Sequence, residues 1–293
     1  MATEKKRKPL TEQQEMKKQA GREMAVYKAD EMIQKGRHQL SLQEQRCVLY
    51  AISKITPSDT AFNEYVLDIK DLYAVCGLQK ESYTELKNMM IGLKSKCWWM
   101  PMKNDPDTES AVSWFNTVRT NKKSGKVTIK FHEDMMPYLL ELTGSDGFYT
   151  GYNLRFVLPM SSQYAPRLYE LLKSYQKNNE AWFFEVDKLK RLLGAENYKD
   201  FKDFRRRALD PAVKEINEYT DLNIAYKAEK QGVKYSRVTF YMYAKKPKAL
   251  HEAKMAGERK LDGEADPAAV YEAYNDEEER RIREFRAANM RDE

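Results

Sequence analysis

Two stretches of the chain repeat each other, and this repeat constrains the fold more than any other feature. Asp68-Ile-Lys-Asp-Leu-Tyr-Ala-Val-Cys-Gly77 aligns with Glu185-Val-Asp-Lys-Leu-Lys-Arg-Leu-Leu-Gly194, with an acid first, Val or Ile second, Leu fifth and Gly last. A strand-like run precedes each copy. A long amphipathic helix follows each copy, and after it come two strands of alternating apolar residues joined by a basic turn. The repeat distance is 117 residues (194 minus 77), which is too long for a solenoid and indicates two related domains.

Strand, short helix, Gly turn, long helix and two-stranded wing is the element order of a winged helix. We therefore predict an α+β fold made of two tandem winged-helix domains related by internal duplication, with a polar N-terminal arm and a charged C-terminal tail. The expected divisions are a flexible arm at 1–35 that becomes helical toward its end, a first domain at 36–150, a second at 151–246, and a partly helical or disordered tail at 247–293.

Composition and charge fit a folded protein with a polyanionic partner. The chain has 293 residues, of which 42% are apolar and 12% aromatic, enough for two cores. Its net charge is +6, but residues 246–293 hold 10 Lys and Arg against 13 Asp and Glu, whereas residues 1–245 hold 41 against 32. A basic body suits nucleic acid. Ordinary solubility explains the charge equally well.

The sequence also narrows the class of protein. Cys47, Cys76 and Cys97 form no CxxC pair and occupy apolar positions, as reduced core cysteines of a cytoplasmic protein do. No apolar segment follows the N-terminal lysines, so we expect no signal peptide, and no apolar run is long enough for a membrane.

The motifs of the common catalytic sites are missing. No HxH, HExxH, P-loop, GxSxG or GxGxxG pattern occurs. We therefore expect no enzyme, no metal site and no cofactor. The chain has 19 tyrosines, so counting alone does not exclude a catalytic tyrosine.

Local patterns place the other elements. We predict a helix over 38–55 with a capping box at Ser41 and Glu44, and a second capping box at Ser82 and Glu85. Further predictions are a helix over 161–177, a hairpin of 112–118 with 127–131, a loop and domain boundary over 144–151, and a last helix over 267–289.

The long helix of the second repeat should begin near Asn197, and its two faces differ. Projection at 100° per residue places the following residues toward the core: Tyr198, Phe201, Phe204, Ala208, Leu209, Ala212 and Ile216. Arg205 falls within this apolar arc, so we expect it to snorkel or to pair with an acid. Pro211 cannot donate to the carbonyl of Arg207, so the helix is kinked or restarts at Asp210-Pro211. The apolar phase continues through this break, which favours a kinked but continuous helix.

The opposite face of this helix is the predicted DNA-binding surface. Arginine can bind guanine with two hydrogen bonds in the major groove, so Arg206 and Arg207 are the candidates for base contacts. Lys199, Lys202 and Lys214 are better placed for phosphates. The alternative is a solvated face of i,i+4 ion pairs.

The first repeat looks different, because its long helix presents no arginine. Lys87 and Lys94 lie on the outward face of that helix, and Lys122, Lys123 and Lys126 surround the turn of its wing, where they contact phosphates or only protect an edge strand. Lys234 and Arg237, in the hairpin of the second repeat, complete the DNA-binding candidates. We predict that the second domain binds sequence-specifically and that the first holds phosphates or a protein partner.

Several segments resemble the replication initiator proteins of iteron-containing bacterial plasmids, over roughly residues 25–245. The resemblance is carried by Gln39-Leu-Ser-Leu-Gln-Glu-Gln-Arg46, by the segments 131–140 and 167–175, and by Phe201-Lys-Asp-Phe-Arg-Arg-Arg-Ala-Leu-Asp-Pro-Ala-Val-Lys-Glu-Ile-Asn-Glu-Tyr-Thr-Asp-Leu222.

The resemblance implies binding to direct repeats in origin DNA, melting of adjacent DNA, recruitment of host initiator or helicase proteins, and a monomer–dimer equilibrium. The dimer would repress its own gene, with its contact on the sheet of the first domain. Two alternatives remain: a winged-helix transcriptional repressor without initiator activity, and an enzyme that nicks DNA through a covalent tyrosine link.

Overall fold

The computed structural model describes residues 24–55, 59–78, 82–102, 105–140, 142, 149–177 and 179–263. Within these ranges the chain forms two units, each with a three-stranded sheet whose strands and helices follow the same order, and the first unit has further strands. The first part of the predicted arm (1–23) and the predicted helix at 267–289 lie outside the described residues.

The first unit contains most of the strands. Its elements are β1 (Ala25–Ala29), α1 (Asp30–Lys35), α2 (Leu42–Ile52), β2 (Tyr65–Asp68), α3 (Ile69–Cys76), α4 (Tyr83–Ser95), β3 (Cys97–Met102), β4 (Asp105–Ser113), β5 (Phe115–Asn121), β6 (Lys126–Phe131), a 3₁₀ turn (Glu133–Met135), α5 (Met136–Leu139) and β7 (Tyr149–Asn153).

The second unit follows a 3₁₀ turn (Leu154–Phe156). Its elements are α6 (Ala165–Gln176), β8 (Ala181–Glu185), α7 (Val186–Leu193), α8 (Phe201–Phe204), a π-helical turn (Arg205–Leu209), α9 (Asp210–Tyr219), β9 (Leu222–Gln231), β10 (Lys234–Ala244) and α10 (Pro247–Asp262).

The two units share one sheet topology, as the internal repeat predicts. In the first, β6 lies between β2 and β5, and in the second, β10 lies between β8 and β9, all antiparallel. The repeated short helices α3 and α7 both end at a glycine with positive φ, 67° at Gly77 and 66° at Gly194. A residue with a Cβ is strained there, which explains why the last position of the repeat is Gly in both copies.

Of the two capping boxes predicted in the first unit, the one at Ser41 and Glu44 forms in full, and at Ser82 only the serine half is present. The Ser41 side chain accepts from the Glu44 backbone N–H while the Glu44 carboxylate accepts from the Ser41 N–H. At the start of α4, the Ser82 side chain accepts from the Glu85 N–H.

The prediction of a flexible arm is wrong for residues 25–35, although the helix expected toward its end is present at Asp30–Lys35. Ala25–Ala29 is a strand paired antiparallel with β7, and Val26 within it is fully buried. Met32 and Ile33 of α1 are also buried. The strand that pairs with this stretch lies more than 110 residues away in the sequence, so local pattern does not indicate the pairing.

Two other boundaries differ from the predictions. The run 112–118 is not one strand, because Val112 and Ser113 end β4, which pairs with β3, and β5 begins only at Phe115. Residues 149–151 form part of β7 rather than a loop.

The helix α10, placed in the predicted tail, packs against the second unit and the connection between the units. Ala253 and Gly257 are buried, and a Cβ at Gly257 would lie 3.2 Å from Pro159. Glu258 pairs with Arg155 at 3.1 Å, which joins α10 to the 3₁₀ turn that precedes the second unit.

A buried cluster of charges joins the two units. Glu170 of α6 contacts Lys28 of β1, accepts from the Tyr152 hydroxyl, and lies 4.0 Å from Arg167. Arg167 donates to the carbonyls of Ile33 and Gly36 in the first unit and of Leu192 in the second. Both side chains are at most 4% exposed, so these hydrogen bonds lie in the interior.

Among the described residues, none of the helices has the length and apolar composition needed to cross a membrane.

Candidate nucleic-acid interface

The candidate interface is built on the long helix of the second unit, which begins at Phe201 rather than near Asn197. Asp200 is the N-cap, and its carboxylate accepts from the Asp203 N–H at 3.2 Å. The helix runs through α8, the π-helical turn and α9 as one continuous path, as the unbroken apolar phase predicts.

The π-helical turn lies where Pro211 disturbs the hydrogen bonding. Pro211 has no N–H for the Arg207 carbonyl, and the Asp210 N–H donates instead to Arg205, five residues back. The wider turn takes up one extra residue. This explains how three consecutive arginines are exposed while Phe204, Ala208 and Leu209 are fully buried.

Arg206 and Arg207 both project into solvent, with 64% and 59% of their side chains exposed. Their partner is Asp203, 3.1 Å from Arg206 and 3.9 Å from Arg207. Exposed ion pairs of this kind contribute about 0–1 kcal/mol, so a phosphate or a guanine can replace Asp203 at low cost.

Arg205 pairs with an acid as predicted, since it lies 3.6 Å from Asp210. The projection was wrong about its position, because Arg205 is 52% exposed rather than within the apolar arc. A constant 100° per residue does not apply across a π-helical turn.

Three lysines flank the arginines on the same helix or its N-terminal approach. Lys199, Lys202 and Lys214 are all exposed. The apolar positions opposite them pack inward as predicted, with Phe204, Ala212 and Ile216 fully buried. The helix therefore has one face in the core and one basic face in solvent.

The wing of the second unit is the hairpin of β9 and β10. Gly232 has φ of 64° at its turn and Val233 beside it is 90% exposed. Tyr235 of the wing stacks on Phe201 of the long helix, with ring centroids 4.3 Å apart, and Tyr226 donates to Asp210. These contacts hold the wing against the helix, so that both can present cations to one ligand.

The sequence-based candidates in this wing lie in different places. Lys234 is exposed next to the turn. Arg237 lies farther along β10, where its guanidinium covers the ring of Phe183 at 4.2 Å. Lys227 and Lys230 were missed. Both are exposed on β9, and Lys230 lies 5.0 Å from the ring of Tyr235. The lysines of 222–231 and the turn at Gln231-Gly232 were the signal for a basic hairpin.

The first unit carries fewer available cations. Lys94 donates to the Asn116 carbonyl at 2.7 Å, and Lys126 pairs with Asp68 at 2.7 Å. Lys122 lies over the Tyr83 ring at 5.6 Å, and Lys87 and Lys123 are exposed. The two units thus differ in charge although their topology is the same.

Lys234 provides a test of phosphate contact at the wing. We expect Lys234→Ala to weaken binding to all duplexes alike and to lower the slope of log K against log salt by about 1, since one phosphate contact releases about 0.9 counterion. Fluorescence anisotropy at several salt concentrations measures this slope. Lys248→Ala, an exposed lysine on α10, is the matched control, and equal slopes for both variants would refute the contact.

Within the described residues, no group of three or more His, Cys, Asp and Glu is arranged to hold a metal ion.

The chain matches two parts of one protein family. Residues 25–173 match "Initiator Replication protein, WH1", and residues 185–242 match "Initiator Rep protein, WH2". The first match begins at β1, and the second runs from Glu185, the last residue of β8, through most of β10.

Individual relatives agree. The chain is 29% identical to the PI protein of Escherichia coli over 209 residues, which cover 66% of each chain. It is 22% identical to a replication initiation protein of Escherichia coli over 269 residues, covering 85% of this chain and 78% of the relative. A crystal structure of Pi initiator protein in complex with iteron DNA superposes with a TM-score of 0.62 at 22% identity, over 77% of this chain and 99% of that one.

Proposed function

The chain belongs to the family of initiator replication proteins with WH1 and WH2 domains, and we propose that it binds direct repeats in plasmid origin DNA and starts replication there. The observation that carries the proposal is the basic face of the second unit, where exposed Arg206 and Arg207 project from a long helix beside a basic wing. A helix fits the major groove of duplex DNA. The solved relative is described as bound to iteron DNA.

The second unit supplies the sequence preference and the first unit supplies phosphate contacts. Arg206 and Arg207 would each bind a base edge, with Lys199, Lys202, Lys214 and Lys234 on the flanking phosphates. In the first unit, Lys87 and Lys123 remain exposed for phosphates. Successive major grooves on one face of the duplex lie about 34 Å apart, so two joined units can occupy two successive grooves. Because the units are linked, binding of one raises the effective concentration of the other and therefore the affinity.

Beyond binding, we propose that the protein opens adjacent A·T-rich DNA and recruits host initiator or helicase proteins in the cytoplasm. A dimer joined through the first unit would repress the gene for this chain. The surface of α4 has few arginines, unlike the long helix of the second unit. This difference supports the proposal that the first unit contacts another protein. This role requires no catalytic residue.

The main alternative is a winged-helix repressor that binds the same DNA without opening it. Permanganate footprinting on a supercoiled plasmid that carries the gene for this chain and its flanking DNA separates the two. We expect reactive thymines beside the direct repeats, because permanganate oxidises unpaired thymine. Protected repeats with no reactive thymine would show a repressor and refute initiation.

The same plasmid tests the nicking hypothesis. We expect the supercoiled form to persist, with no DNA covalently attached to the protein. The Arg206→Ala/Arg207→Ala double variant is the control in the permanganate assay, since loss of specific binding should remove the thymine reactivity.

A further inference from the structure

The tip of the wing in the second unit carries an apolar side chain that lies in solvent. Of the large hydrophobic side chains in the described residues, Val233 is the most exposed, at 90%. It forms the turn between β9 and β10 together with Gly232, whose φ is 64°. At this exposure the side chain gains almost no burial when the chain folds, so the fold does not require an apolar residue at this position.

The geometry of the turn does not require a valine either. Two-residue hairpin turns that begin with Gly are commonly completed by Asn, Asp or Ser, whose side chains can hydrogen-bond the local backbone. Valine is β-branched and forms no such hydrogen bond. The wing of the first unit, between β5 and β6, has the polar turn Lys122-Lys123-Ser124-Gly125. The apolar tip is therefore a property of the second unit, as the arginine-bearing helix is.

The wing holds this tip beside the start of the long helix. Tyr235, two residues beyond Val233, stacks on Phe201 with ring centroids 4.3 Å apart. A strand rises about 3.3 Å per residue, so the tip lies about 7 Å beyond this stack. In duplex DNA the minor groove adjoins the major groove across a single phosphate backbone. A helix in the major groove therefore places the tip of the wing at the neighbouring minor groove.

Two lysines flank Val233 on the two strands of the wing. Lys230 lies on β9, 5.0 Å from the ring of Tyr235, and Lys234 lies on β10 next to the turn, and both are exposed. The minor groove is about 6 Å wide and has a phosphate backbone on each side. The two cations can bind the two backbones while the turn between them enters the groove. The paired strands, about 4.8 Å apart before side chains are counted, are too broad to follow.

We propose that Val233 enters the minor groove and selects an A·T base pair there. A G·C pair places the guanine N2 amino group on the floor of this groove, whereas A·T and T·A pairs have no donor there. At the same place an A·T pair has the C2–H of adenine, which is apolar and leaves room for the valine methyl groups. Valine has no acceptor, so at a G·C pair it would cover the amino group and leave this donor without a hydrogen bond, which is unfavourable.

This inference rests on the proposed function, because it requires duplex binding by the basic face of the second unit. It adds a base contact to a wing whose lysines bind phosphates. The contact is also independent of Arg206 and Arg207, since these side chains lie on the helix and bind from the major groove. The recognised repeat should therefore include an A·T pair outside the segment that the helix contacts.

Base analogues distinguish contacts in the two grooves. An inosine·cytosine pair lacks the amino group, so it presents the minor groove of an A·T pair and the major groove of a G·C pair. In the repeat that the wild-type protein selects from a random pool, each A·T pair is replaced in turn by I·C and by G·C, and fluorescence anisotropy measures each affinity. We expect a pair at which G·C weakens binding about tenfold, equivalent to about 1.4 kcal/mol, while I·C binds as A·T does.

Two variants assign this discrimination to Val233. Val233→Ser should bind the A·T and G·C duplexes within about twofold of each other, because the serine hydroxyl is smaller and can accept a hydrogen bond from the amino group. Val66→Ser is the matched control, because Val66 is an exposed valine on β2 of the first unit. This control should keep the tenfold difference. Both positions are exposed, so the thermal unfolding of each variant should remain close to that of the wild type.

The outcomes separate failure of this inference from failure of the proposed function. If I·C binds no better than G·C at every A·T pair of the repeat, the minor groove is not read and the inference is overturned. It is also overturned if Val233→Ser keeps the discrimination of the wild type. Both results leave binding to the repeat in place. A wild-type protein that selects no repeat from the pool would overturn the proposed function, and this inference with it.

Discussion

Replacing Arg206 and Arg207 with alanine will remove the preference of the protein for its repeat while leaving general DNA binding in place. Each arginine that binds guanine through two hydrogen bonds contributes about 1–3 kcal/mol of discrimination. Each 1.4 kcal/mol is a factor of ten, so each single variant should lose about 10- to 100-fold in specific affinity. The lysines that remain on the helix and wing still bind phosphates.

The measurement compares two duplexes, one selected by the wild-type protein from a random pool and one scrambled. The ratio of the two affinities should fall toward one for the arginine variants. Lys87→Ala in the first unit is the comparator, and it should weaken both duplexes alike. An equal loss of preference from Lys87→Ala would contradict the division of labour between the units.

Folding should survive these substitutions. Both arginines are largely exposed, and their only ion pairs among the described residues are with exposed Asp203. The thermal unfolding of each variant should therefore remain close to that of the wild type, which separates lost recognition from lost structure.

Replacing Glu170 with leucine will have the largest effect on stability. The substitution leaves Lys28 without its buried partner and the Tyr152 hydroxyl without its acceptor. Removing one member of a buried ion pair costs about 3–5 kcal/mol, because the remaining charge stays desolvated. In a chain of this size each kcal/mol lowers Tm by about 2–4 °C.

An exposed ion pair provides the contrast. Glu64→Ala removes the partner of Arg119, and these two side chains are 49% and 64% exposed. That loss should cost at most about 1 kcal/mol. Urea unfolding of both variants measures the difference, and a Glu170→Leu protein as stable as Glu64→Ala would show that the cluster at the junction does not hold the units together.

The sequence predicted the parts of the fold that depend on neighbouring residues. The glycines that end α3 and α7 and the serine caps of α2 and α4 act within one helical turn. A local pattern therefore specifies them. The internal repeat extended this local information to the second unit, because the same signals occur there in the same order.

Features that depend on distant residues were missed. The pairing of β1 with β7 and the packing of α10 on the connection between the units involve residues far apart in sequence, so no local pattern identifies the partner of either segment. The charge cluster of Lys28, Arg167 and Glu170 likewise forms only when β1 and α6 meet. Their sequence contexts contain ordinary charged residues, so no local signal predicts burial.

Part of the candidate interface could be predicted because helical periodicity is a local signal. Helical periodicity identified the basic face of the long helix and the buried face opposite it. The π-helical turn was not predicted, although Pro211 marked where the hydrogen bonding would change, and this turn is what exposes Arg205 beside its neighbours. The stack of Phe201 on Tyr235 required the tertiary structure.

Tethered cleavage tests most directly the claim that the long helix of the second unit lies in the major groove. In a background with the exposed Cys97 changed to Ser, Lys202→Cys carries an iron chelate, and Lys248→Cys is the control. We predict that the chelate at position 202 cuts both strands within the selected repeat, once per bound protomer. The two cuts should have the stagger of the major groove. The chelate at position 248 should leave the repeat intact. Cleavage at neither strand from position 202, or cleavage scattered equally along unrelated DNA, would contradict the account.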